Sequence, residues 1–99
     1  MNKKLLFIIN RYGVKNQEDI AIEELAELQK AILKNRRYKS KETERNVWEE
    51  IADVEIMLEQ LKIIYSCHKE VEEKKEYKIE RQIERIMLNK IDLTEVVKG

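Results

Sequence analysis

Two pairs of acids in this chain have the type and spacing to do chemistry. Glu24 and Glu27 lie in the run EELAE, and Glu50 and Asp53 lie in the run EEIAD. Each pair is three residues apart, so on a helix each presents two carboxylates on one face. Two such helices packed together bring four carboxylates to one place. Hard divalent cations such as magnesium prefer an all-oxygen cluster of that kind, and they carry phosphates with them.

The elements that must position these acids are helices. The chain has 99 residues with no Pro, two Gly, 42% hydrophobic and 40% charged side chains, a mixture that favours long charged helices over a sheet or a disordered chain. The length suits one small domain spanning residues 1–99, whose core is limited and gains by oligomerisation. Four helices are expected. The first covers about residues 2–12 and stops at Gly13. The second, capped by Asn16 with Glu18 and Asp19 in its first turn, runs to about Arg36. The third, capped by Ser40 or Thr43, runs to about Ser66. The fourth covers about 69–88, and Ile91, Leu93, Val96 and Val97 make the tail a candidate for docking.

At about 100° per residue, the apolar arc of the second helix consists of Ile20, Ala21, Leu25, Leu28, Ala31 and Ile32. Glu24 falls inside it and Glu27 on its border. In the third helix the arc is Val47, Ile51, Val54, Met57, Leu58, Leu61 and Ile64, with Glu50 inside and Asp53 on the border. A carboxylate among apolar groups is costly unless it is paired, protonated or bound to a metal. Two readings stay open at this point: salt bridges to Lys or Arg across the bundle, or a metal site.

Other chemistries have little support. A di-iron carboxylate bundle needs Glu-x-x-His on two helices, whereas the single His68 follows Tyr65 by three residues. Zinc prefers Cys and His, and only Cys67 and His68 are on offer. There is no EF-hand loop or Gly-rich phosphate loop. With Lys+Arg and Asp+Glu both 20, a general nucleic-acid or membrane-surface binder is disfavoured. One cysteine forms no intrachain disulfide and fits a reducing cytoplasm. MNKKLLFIIN is too short in its apolar run for a typical signal peptide, and no stretch approaches the roughly 20 apolar residues of a membrane span.

The pattern Glu23-Glu24-Leu25-Ala26-Glu27 followed by Glu50-Ile51-Ala52-Asp53 resembles the MazG-like branch of the all-α nucleoside triphosphate pyrophosphohydrolases. The resemblance covers about residues 16–88, and DVEIMLEQLKIIY looks like that family's third helix. It implies an all-α bundle of about four helices completed by dimerisation, with some members pairing again into tetramers. It also implies hydrolysis of a nucleoside triphosphate to the monophosphate and pyrophosphate, with magnesium as cofactor and manganese as a substitute. By position, Glu24, Glu27, Glu50 and Asp53 would be the metal ligands. Glu23 would bind a further ion or orient the attacking water.

The family commonly places phosphate-contacting basic residues on its last helix, which makes Lys78 and Arg81 the candidates here. They share a face with Lys74 and Arg85, a stripe that reads equally well as a solvated face. Trp48 and Tyr65 are aromatic candidates for a base pocket, and Lys34, Arg36, Arg37, Lys39 and Lys41 read as a solvated loop. The expected role is nucleotide-pool control or house-cleaning. The alternatives are a non-catalytic helical interaction module and a nucleotide sensor of the same fold.

Overall fold

A computed structural model describes the backbone of residues 2–98 and the side chains of residues 2–89. Among the described residues there are four helices and no strand: α1 (Lys3–Tyr12), α2 (Val14–Arg37), α3 (Lys41–Tyr65) and α4 (His68–Lys98). The all-α class read from composition and periodicity is therefore the observed one. The chain divides into two compact units at Ser66/Cys67: α1–α3 form the first and α4 the second.

The first helix starts because the Asn2 side chain accepts the backbone N–H groups of Lys4 and Leu5, at 3.0 and 3.2 Å. Its inward stripe buries Leu5 and Ile9. Gly13 then ends α1 and also begins α2. Its φ of +93° and ψ of 149° lie where only glycine is at ease. Its N–H donates back to the Ile9 carbonyl, and its own carbonyl accepts the Gln17 N–H. This one-residue hinge corrects the expected start of α2. Asn16 is not its cap, and Glu18 and Asp19 fall beyond its first turn, because the glycine lets the helix begin at Val14.

The hairpin of α2 and α3 is the main packing of the first unit. Its tight end is organised by Thr43. The Ser40 side chain accepts the Thr43 N–H at 3.1 Å while Thr43 Oγ1 accepts the Ser40 N–H at 2.9 Å, a reciprocal capping box. The Thr43 hydroxyl also reaches Asn35 Oδ1 on α2 at 2.8 Å. Along the seam, Ala21 and Ala31 of α2 and Val54 and Met57 of α3 are buried. Small alanines on one helix let the larger side chains of the other approach closely. At the far end Tyr65 donates its hydroxyl to Glu18, which raises the tyrosine's affinity for its proton.

Ser66, with φ of 51° and ψ of 48°, ends α3 in the left-handed conformation. The fourth helix extends past the expected stop near residue 88 to Lys98, since neither Pro nor Gly interrupts residues 68–98. The side chains of Ile91, Leu93, Val96 and Val97, expected to dock the tail, lie outside the described ones. No helix among the described residues is long and apolar enough to cross a membrane.

Candidate functional site

The α2–α3 hairpin brings Glu24, Glu50 and Asp53 together. One carboxylate oxygen from each lies within 4.8 Å of the others. The placement follows from register. Thr43 and Asn35 fix the turn, and Gln17 and Gln60 meet across the seam further along, where Gln17 Nε2 donates to Gln60 Oε1 at 2.7 Å. Glu24 lies seven residues from Gln17 and Asp53 seven from Gln60, about two turns along each antiparallel helix. The acids therefore occupy the next polar layer of the same seam.

Glu24 and Glu50 are half-buried and Asp53 is exposed, so the cluster opens to solvent on the Asp53 side. Ile20 and Leu28, one turn to each side of Glu24, are half-buried too, whereas Leu25 and Ile32 of the expected α2 arc and Ile51 and Leu58 of the α3 arc are exposed. Burial, with the adjacent charges of Asp53 and Glu50, pushes the Glu24 carboxyl above its ordinary range. A hydrogen bond with Glu50 and the charge of Glu27 push in the same direction. Glu50 Oε2 is buried and has no hydrogen-bond partner. Buried carboxylate oxygens are rarely left in that condition.

The salt-bridge reading does not describe these three acids. The pairs Lys15–Asp19, Lys30–Glu27, Lys62–Glu59, Lys69–Glu73 and Lys75–Glu72 each lie within one helix and involve other acids. It does describe Glu27, which pairs with Lys30 at 3.6 Å on the exposed face of α2 and is not part of the close cluster. Glu23 is exposed on the same helix. Thus the four-acid set expected from spacing is observed as three acids at close range, with Glu27 contributing charge from the rim.

Lys78 and Arg81 lie on α4 with Lys74 and Tyr77, and the Arg81 guanidinium lies over the Tyr77 ring at 5.4 Å from its centroid. That contact holds Arg81 by a cation–π attraction. Trp48 is 62% exposed and Tyr65 is tied to Glu18. Lys34, Arg36, Arg37, Lys39 and Lys41 are exposed, but only Lys39 lies in the connection: the first three belong to the last turn of α2 and Lys41 begins α3.

Sequence reasoning missed Gln17 and Gln60, the two most buried polar side chains of the hairpin, at 3% and 1% exposure. The signal was present: Gln17 shares the helix face of Glu24, and Gln60 that of Asp53, at seven-residue spacing. Uncharged amides simply drew no notice beside so many acids.

No protein-family model, curated protein or solved structure matches this chain. The functional reading therefore stands on the motif and the geometry.

Proposed function

We propose that the protein is a magnesium-dependent nucleoside triphosphate pyrophosphohydrolase, converting ribo- or deoxyribonucleoside triphosphates to monophosphates and pyrophosphate in cytoplasmic nucleotide-pool control. The observation that carries this reading is the cluster of Glu24, Glu50 and Asp53 at the EExxE and ExxD positions, with Glu50 Oε2 buried and unpartnered. An all-carboxylate donor set with a spare buried oxygen suits a hard divalent cation. Glu24, Glu50 and Asp53 would hold it, and Glu27 joins by releasing its exposed bond to Lys30, an interaction of small strength. Bound magnesium supplies neutralisation of the triphosphate charge and acidification of water.

The chain's own residues do the remaining work. Half-buried Glu24 and Glu50 back the cluster, and exposed Asp53 marks its solvent-open side, from which a phosphate would approach. Glu23, exposed beside it, orients the attacking water. The water oxygen bonds to the α-phosphorus as the bridging oxygen to the β-phosphorus departs with pyrophosphate, the water proton passes to bulk solvent, and no covalent enzyme intermediate forms. The rate gain is one of positioning and charge stabilisation. Lys78 and Arg81 are assigned to the phosphates.

Exposed apolar residues support a homodimer, with pairing of dimers as a further step: Ile22 of α2 and Trp48 of α3 are 66% and 62% exposed, and such surface is characteristic of interaction sites. The same observation favours the second reading, a non-catalytic helical interaction module. The deciding experiment is pyrophosphate release from a panel of nucleoside triphosphates with magnesium and with chelator. Magnesium-dependent release, matched by monophosphate, is expected. No release from any substrate overturns the enzyme reading, and nucleotide binding then separates a sensor from an interaction module.

A further inference from the structure

We infer that the buried amide pair Gln17–Gln60 is a positioning device that fixes the sliding register of α2 against α3 and so holds Glu24 level with Glu50 and Asp53. The pair is the deepest polar contact of the hairpin, made at 2.7 Å between side chains 43 residues apart in sequence. Its surroundings are apolar: Ala21, Val54 and Met57 are buried nearby along the same two helices, and Gln60 Nε2 finds only the Met57 sulfur at 3.8 Å. Even in register, Gln17 Oε1 lacks a partner.

An apolar seam discriminates poorly between registers one helical turn apart, because one aliphatic contact replaces another. A buried polar pair discriminates well, because a slip strands both amides away from water. Single buried amides fix register in paired helices in this way, at a cost in stability. Here there is a force to resist. Three carboxylates with oxygens within 4.8 Å repel one another, and sliding one helix along the other relieves that repulsion. The Thr43–Asn35 contact restrains the hairpin on one side of the acids; on the other side Gln17–Gln60 is the buried restraint, with the exposed Tyr65–Glu18 bond beyond it.

The test replaces both amides by side chains of similar shape, Gln17→Met with Gln60→Met, in a Cys67→Ser background. Nitroxides at Lys15→Cys and Arg45→Cys, both exposed positions, report the register by their separation. The labelled chain is diluted with unlabelled chain so that only intrachain pairs are read. The inference predicts one narrow distance with the glutamines. With the methionines it predicts a broadened or doubled distribution, although helical content is kept and the melting temperature is unchanged or higher. Manganese, used as the probe ion, is expected to bind the methionine variant roughly 10-fold more weakly.

A distribution that stays single and narrow, with unchanged manganese affinity, overturns the inference. So does a lower melting temperature with the distance unaltered, which marks the pair as an ordinary stabilising contact. If the double variant loses its helical content, Gln17→Met alone, which keeps the contact of Gln60 with Met57, takes the same two readouts. The manganese arm rests on the proposed carboxylate site and the distance arm does not. Absence of manganese binding to the chain with both glutamines therefore counts against that site, while the distances still decide the role of the amides.

Discussion

The Glu24 carboxyl lies against that of Glu50, acid against acid, inside the seam of a helical hairpin. Burial, with the charges of Asp53 and Glu50, makes Glu24 hold its proton more strongly in the folded chain than in the unfolded one. An acid shifted in that direction adds stability that is fully present below its ordinary value of 4.5. That stability is lost as pH rises through the higher folded-state value. Glu24→Gln is therefore expected to melt at a higher temperature than the parent at pH 7. The advantage shrinks toward pH 4. Thermal melts of both proteins across that range check it.

Magnesium is expected to raise the melting temperature of the parent protein by mass action on the folded state and to leave Glu24→Gln and Glu50→Gln unmoved. Under the proposed function both substitutions are expected to keep the helices and to remove pyrophosphate release. Parental activity in either variant would rule out these acids as the ligands.

Glycine at position 13 has open space around a hypothetical Cβ, yet its φ is +93°. Any loss in Gly13→Ala therefore comes from the backbone alone, and about 1–3 kcal/mol is expected. Ser66 is the converse case, a side-chain-bearing residue in the left-handed region. Ser66→Gly is expected to change stability by less than about 1 kcal/mol, in the stabilising direction. Denaturant unfolding of the two variants measures both effects.

Thr43→Val removes the hydroxyl shared by the Ser40 N–H and Asn35 Oδ1 while keeping the shape. A loss of about 1–2 kcal/mol is expected, again read from denaturant unfolding.

Lys78→Ala and Arg81→Ala test the phosphate assignment on α4. Under the proposed function each raises KM for the triphosphate and leaves magnesium-induced stabilisation intact. Unchanged KM in both returns that stripe to an ordinary solvated face.

The helical class and the α1, α2 and α3 spans were legible to within a few residues because periodicity, the Ser40/Thr43 cap and Gly13 all point the same way. Glu24 and Glu50 were legible for the same reason: angular position alone sets them among apolar neighbours. Three features were less visible. Gly13 serves two helices at once, a backbone economy that residue types do not announce, and it displaced the expected cap at Asn16. The end of α4 has no breaker to mark it. The Gln17–Gln60 pair depends on how two helices meet, and one helix at a time cannot reveal which neutral amide will find a partner. Glu27 illustrates the reverse: its spacing promised a place in the cluster, but Lys30 one turn on gives it an exposed partner.

Trp48 is the chain's single tryptophan, largely exposed and two residues before Glu50. The molecule thereby carries its own optical probe on an exposed face of α3, about 200° around the helix from Glu50. An indole in water emits at long wavelength, and covering it moves the emission to the blue. Whatever covers that face, a second copy of the chain included, can therefore be followed in the unmodified protein by the colour of one side chain.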